Sequence, residues 1–205
     1  CCPDEQLLLD DISSLMSVNN AAANSSLALK IIVTRGAGER GYKFSKGITA
    51  NRIVLLSSIE QAYSSLLSSR LLTGELVLCQ QQVSINQNLA GIKHLNRLEN
   101  VLARNEWHDA DNTVIDGLML NADQHVIEGS MSNLFAVKNN QLLTPQLTQS
   151  GVNGIMRDAI INIAQQAGIA VSAVNIKLDE LQLMDELFIS NSLIGIKSVS
   201  KFIDR

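Results

Sequence analysis

The feature that most constrains the fold is a succession of short, apolar, partly β-branched segments. They lie at 27–34, 52–58, 75–83, 114–121, 126–137, 141–145, 171–176 and 186–190. Runs of this length, bounded by Gly, Asn, Ser or Pro, read as strands. The first two, at 27–34 and 52–58, are expected to be buried. Helical spacing is confined to fewer places. Leu7, Leu8, Ile12, Leu15 and Met16 mark one helix near the start. Leu95, Leu98, Val101 and Leu102 form one face of a second, closed by Trp107. A third follows the Gly151–Arg157 segment and runs to Ala167, where Gly168 supplies a C′ residue. A short helix is expected at 178–184. Strands interleaved with helices place the chain in the α/β class (α+β by some schemes).

A chain of 205 residues can hold two subdomains with real cores. The serine-rich stretch at 59–70 is the candidate connection between them. A formal net charge of −4 gives no reason to expect nucleic acid or an anionic membrane as partner. No apolar run reaches the ~20 residues of a spanning helix, and nothing near the start reads as a secretory signal. Cys1, Cys2 and Cys79 imply no disulfide framework, and His94, His108 and His125 are scattered, so no metal site is expected. A reducing cytoplasm is the default compartment. The chain opens on Cys1-Cys2-Pro3 rather than Met, which reads as a piece of a longer protein.

Several segments carry chemistry. Lys93 stands at the end of an extended segment with a helical pattern directly behind it. A lysine there can be partly desolvated and lose its proton, as a Schiff-base amine must; a solvated surface lysine satisfies the same local sequence. Glu128 lies on a strand. Gly151-Val152-Asn153-Gly154-Ile155-Met156-Arg157 feeds a helix, so its backbone N–H groups and the helix dipole make a phosphate site in principle. Asn191-Ser192-Leu193-Ile194-Gly195 is a second polar loop with exposed donors. Arg35-Gly36-Ala37-Gly38-Glu39-Arg40-Gly41-Tyr42 is a glycine-rich loop whose arginines could grip a carboxylate, or simply face solvent at a hairpin turn. Together the pieces suggest a phosphate-bearing aldehyde cofactor. Pyridoxal phosphate needs a lysine amine, a carboxylate facing its ring nitrogen, and a phosphate cradle.

Four runs carry a resemblance: Gly91-Ile92-Lys93-His94-Leu95-Asn96-Arg97-Leu98-Glu99, Glu128-Gly129-Ser130-Met131-Ser132-Asn133-Leu134-Phe135, the Gly151–Arg157 loop, and the Arg35–Tyr42 loop. In this order they resemble the aminodeoxychorismate lyases of the fold-type IV pyridoxal-phosphate family, which also holds the branched-chain and D-amino-acid aminotransferases. The resemblance implies a two-domain fold-type IV enzyme. Residues 1–66 would be the remainder of an incomplete small N-terminal α/β domain, 67–71 the connection, and 72–205 the large domain carrying the cofactor lysine. It implies cleavage of 4-amino-4-deoxychorismate to 4-aminobenzoate and pyruvate, with pyridoxal 5′-phosphate as cofactor and a homodimer as the assembly.

By resemblance, Lys93 is the catalytic lysine that links to the cofactor and moves protons, and Glu128 faces the pyridine nitrogen. Ile155, Met156 and Ser192 hold the phosphate. Arg40 and Tyr42 contact substrate, while Asn96 and Arg97 either anchor the helix or touch substrate. Relatives carry a leading segment of several tens of residues ahead of this opening, and the last strand region reads as cut short. A branched-chain or D-amino-acid aminotransferase is the alternative activity, and a non-catalytic binding domain that kept the fold is a second alternative.

Overall fold

The computed structural model describes residues 4–18, 27–43, 46–59, 72–107 and 113–204. Cys1, Cys2, His108, residues 19–26 and the connection expected at 67–71 lie outside the described residues. Contacts divide the chain into two units, Cys1–Leu67 and Ser68–Arg205.

In the first unit, helix α1 (Glu5–Val18) accompanies an antiparallel pair, β1 (Leu27–Thr34) and β2 (Asn51–Ser58). The expectation of two buried strands is corrected here. Neither strand contains a buried residue, and Leu29, Ile31, Val33, Ile53 and Leu55 are exposed. Among the described residues, two strands and one helix supply too few layers to enclose both faces of a sheet. Asp11 of α1 and Arg52 of β2 form an ion pair at 2.6 Å.

Among the described residues, the second unit is built on a nine-stranded sheet. Its strands are β3 (Leu72–Leu78), β4 (Val114–Leu120), β5 (His125–Gly129), β6 (Asn133–Lys138), β7 (Gln141–Pro145), β8 (Val171–Val174), β9 (Ile176–Lys177), β10 (Glu186–Asn191) and β11 (Gly195–Ile203). Their order is β8-β7-β6-β10-β11-β3-β4-β5-β9. Side-chain alternation sends neighbours to opposite faces. Leu76, Leu118, Leu120 and Val126 therefore join one core cluster, while Val77, Met119 and Ile127 join another. Helix α3 (Ile155–Gln166) packs Ala164 against Phe135 and Leu142, and Phe135 stacks on Phe188 at 4.9 Å.

Local chemistry sets the turns. Asn121 Oδ1 accepts from the N–H groups of Asp123 and His125 and closes the β4–β5 turn. Asn139 and Asn140 both take positive φ, 50° and 61°, as a two-residue hairpin turn requires. β3 and β4 are parallel neighbours, so a long crossover must join them, and Lys93 sits on it. On that crossover lies the short helix α2 (Leu98–Arg104).

Several boundaries differ from those expected. The strand expected at 75–83 is interrupted after Leu78: Cys79 N–H still donates to Leu118 O, the Glu106 carboxylate takes the N–H groups of Gln80 and Gln81 at 2.7 and 2.8 Å, and Val83 meets Asn121 only as a single bridge. The single strand expected at 126–137 is two, β5 and β6, because the Asp116 carboxylate captures the N–H groups of Ser130 and Met131. The 171–176 strand divides into β8 and β9, and the helix at 178–184 is a 3-10 turn at Asp179–Leu183. The apolar face expected behind Lys93 does not enter the core. Leu95, Leu98, Val101 and Leu102 are exposed, and Ala103 is the buried residue of α2. Residues 195–203, for which no strand is expected, form β11 between β10 and β3.

Candidate active site

Lys93 is exposed and not helical; α2 begins only at Leu98. Gly91, at φ 79°, turns the chain into the Lys93 segment. Its N–H donates to Gly151 O at 2.9 Å, and its carbonyl accepts from Asn153 N–H at 3.0 Å. The Lys93 segment is thereby joined edge to edge with the 151–153 loop. Arg97 holds the other side. Its guanidinium donates to the carbonyls of Ile92 (2.7 Å) and His94 (3.3 Å), the two residues flanking Lys93. These bonds hold residues 92–97 outside the helix.

Arg97 also faces Glu128, with Nη1 at 3.9 Å from Oε1. Glu128 is 3% exposed. Its Oε2 accepts from Val152 N–H at 2.7 Å, while Oε1 finds no hydrogen-bond partner among the described residues. Burial is the main influence and pushes the carboxyl up to about 7. The Val152 N–H, Arg97 and Lys93 pull it back, and the Asp116 charge adds to the rise. A buried carboxylate oxygen without a donor is costly unless a charged donor reaches it.

The N-terminus of α3 is open. Gly154 is the N-cap residue, in extended conformation and without a side-chain cap. The first N–H groups of a helix have no partner within it, and the dipole adds a partial positive charge. A Cβ on Gly154 would lie 2.3 Å from Asn133 Oδ1, so the close approach of this loop demands glycine. Asn133 Nδ2 donates to Val152 O at 2.8 Å. Arg157, 7% exposed, braces the same helix from below. It donates to Thr144 Oγ1, Asn153 Oδ1 and Pro145 O. In the β10–β11 turn, Asn191 Oδ1 accepts from the N–H groups of Leu193 and Ile194, both at 2.8 Å, and Ser192 is exposed.

The structure thus brings Lys93, Glu128 and the Ile155–Met156 turn into one bonded framework. Ser192 is tied in through Asn191, which donates to Met131 O at 3.1 Å. Arg40 and Tyr42 belong to the first unit, where both are exposed. A cavity of about 420 Å3 is lined by Ser84, Asn86, His94, Arg97, Glu99 and Gly151 among others, and neither Lys93 nor Glu128 lines it. Sequence reasoning gave no role to Asp116, Asn133 or Arg157. The signal for Asp116 was a lone charge in the apolar run Val114–Leu120. No group of acidic, His or Cys side chains among the described residues could hold a metal, and no described helix is long and apolar enough to cross a membrane.

An anchored lysine, a buried carboxylate with one free oxygen and an uncapped helix N-terminus on a mixed nine-stranded sheet define the class. The chain belongs to the amino-transferase class IV family, whose model matches residues 1–202. It is 35% identical over 198 residues to an aminodeoxychorismate lyase of Vibrio harveyi, covering 97% of this chain and 69% of that protein. The crystal structure of 4-amino-4-deoxychorismate lyase from Pseudomonas aeruginosa superposes with a TM-score of 0.79 at 33% identity, over 99% of this chain and 72% of that one. The fold is shared more widely. An aminotransferase from Brucella abortus, solved bound to pyridoxal phosphate, gives a TM-score of 0.73 at 16% identity, over 94% of this chain and 67% of that one.

Proposed function

We propose that this chain is a pyridoxal-phosphate-dependent lyase that converts 4-amino-4-deoxychorismate to 4-aminobenzoate and pyruvate in folate synthesis. The observation that carries the cofactor is the buried Oε1 of Glu128, which accepts no hydrogen bond among the described residues and has only the Arg97 guanidinium 3.9 Å away. The substrate follows the likeness to the two lyases.

When bound, pyridoxal phosphate supplies an electron sink for breaking bonds at the amine-bearing carbon. Lys93 Nζ provides the covalent attachment point. Once free, Lys93 takes the proton from the amine-bearing carbon and returns one to the departing enolpyruvyl group, whose loss makes the ring aromatic. Glu128 Oε1 would face the cofactor's ring nitrogen, and a cationic donor there would favour the charged form of this carboxyl. The N–H groups of Ile155 and Met156 and the Ser192 hydroxyl receive the phosphate, aided by the dipole of α3. Arg40 and Tyr42 enter as substrate-binding residues through the resemblance of their loop. The exposed apolar row Leu95, Leu98 and Leu102 supports a homodimer, and the cytoplasm is the proposed compartment.

The test is an absorbance spectrum of the protein mixed with pyridoxal phosphate, then an assay of 4-aminobenzoate release. Wild type is expected to show the absorbance band of a lysine-linked cofactor near the visible edge and to release product, and Lys93→Ala to lose both. α-Keto-acid-dependent deamination of branched-chain or D-amino acids, without 4-aminobenzoate release, would establish the aminotransferase instead.

A further inference from the structure

The residue least explained by the cofactor reading is Asp116. It stands in the middle of β4, 0% exposed, among apolar neighbours. An aspartate is almost never buried this completely without partners. Here five donors converge on it. Oδ1 accepts from Gly117 N–H (2.8 Å), Ser130 N–H (3.1 Å) and Ser130 Oγ–H (2.6 Å). Oδ2 accepts from Ser132 Oγ–H (2.5 Å) and Met131 N–H (3.3 Å). Burial pushes the Asp116 carboxyl up, and the Ser130 and Ser132 hydroxyls and the Gly117 and Met131 N–H groups pull it back toward the charged form.

All but one of these donors come from the turn 130–132, which directly follows Glu128 and Gly129. The same turn is held from other elements. Asn100 of α2 donates to Ser130 O at 3.0 Å, and Asn191 donates to Met131 O. The residue after the turn, Asn133, donates to Val152 O, and Val152 N–H returns to Glu128 Oε2. Glu128, the turn, Asn133 and Val152 therefore form a closed circuit. The turn also joins it to the helix behind Lys93 and to the strand end before Ser192.

We infer that Asp116 is a positioning residue: its carboxylate closes the 130–132 turn, and through that turn it fixes where Glu128 sits relative to Lys93 and the α3 N-terminus. Asparagine substitutes only in part. With its amide oxygen in the Oδ1 position, its NH2 group would face the Met131 N–H, donor to donor, and the Ser132 hydroxyl would have to turn round to accept. The turn would open, water would reach Glu128, and the Asp116 charge would be gone.

Both changes move Glu128 the same way. The groups facing Glu128 are Arg97, Lys93, Asp116 and the Val152 N–H, and burial dominates them. Asp116 itself faces Cys79, whose buried thiol is pushed up to about 12 and stays neutral. Losing burial and losing the Asp116 charge each lower the Glu128 midpoint.

The experiment follows the Glu128 side-chain carboxyl by carbon-13 NMR across pH in the cofactor-free protein, with melting temperatures alongside. Wild type is expected to titrate near the value burial sets. Asp116→Asn is expected to lower the midpoint by about one pH unit, a tenfold change in proton affinity. Ser132→Ala removes one donor and keeps the charge; it is expected to shift the midpoint in the same direction by less. A lowered melting temperature with an unmoved Glu128 midpoint in folded variants would overturn the inference, and Ser132→Ala decides it if Asp116→Asn does not fold. A last arm rests on the cofactor reading: both variants should need several-fold more pyridoxal phosphate to saturate the absorbance band, and equal saturation would count against the inference. If wild type shows no band, the proposed function fails, while the cofactor-free titration still judges Asp116.

Discussion

Glu128→Gln should make the cofactor-free protein more stable at pH 8 while weakening its hold on the cofactor. The sign follows from proton linkage. In the folded protein Glu128 keeps its proton up to about pH 7, whereas in the unfolded chain it loses it near the ordinary 4.5. Between those values the folded state binds more protons, so the unfolding free energy falls as pH rises. The gap between 4.5 and about 7, at about 1.4 kcal/mol per pH unit, makes the loss about 3 kcal/mol once pH exceeds 7. Glutamine keeps an acceptor for the Val152 N–H and carries no charge to bury. The variant should therefore lack this decline. For a chain of this size the difference corresponds to a melting temperature about 6–12 °C above wild type at pH 8, vanishing near pH 4.5. Differential scanning calorimetry on cofactor-free protein at pH 5 and pH 8 reads it directly, and a cofactor titration by absorbance reads the second effect. Equal pH dependence in the two proteins would refute the reasoning, because it would mean that Glu128 titrates alike folded and unfolded.

Three further outcomes are expected. Lys93→Ala should leave the melting temperature within the range of about 0.5 kcal/mol typical of exposed positions, since the side chain is exposed, while it abolishes the cofactor band and product release. Gly151→Ala should cost at least about 2 kcal/mol in urea denaturation, because Gly151 has φ 84° and an added Cβ would lie 2.8 Å from Ile127 and Leu147 side-chain carbons. Arg157→Ala should destabilise by about 3 kcal/mol and loosen phosphate retention. It strands Thr144 Oγ1, Asn153 Oδ1 and Pro145 O around the start of α3, and inorganic phosphate should protect the variant less than wild type in a thermal-shift assay.

The sequence by itself determined the kinds of element and the chemistry of the candidate groups. Alternating and β-branched runs specify strands because the side-chain period and the stiffness at Cβ are local properties. Gly168 ends α3 for an equally local reason, its φ of 76°. The resemblance of four runs gave Lys93, Glu128, Ile155, Met156 and Ser192 their proposed roles, and the family match agrees with the class they implied.

Boundaries and burial were decided by tertiary structure. The strand pairing of β3 is interrupted because Glu106, on the far side of a crossover, takes the amides of Gln80 and Gln81. β5 and β6 separate because Asp116 claims the turn between them. β11 forms because it lies between β10 and β3, neighbours that periodicity cannot reveal. The row Leu95, Leu98, Val101 and Leu102 has a helix's apolar spacing yet stays exposed, because spacing fixes which residues share a face and not what covers it. Lys93 returns the same lesson at the site. Its sequence neighbours announced a helix, but Arg97 holds the carbonyls on either side of it and keeps the segment open. The partners that orient Lys93 and Glu128 come from residues tens of positions apart, and hydrogen bonds across such separations exist only once the sheet is assembled.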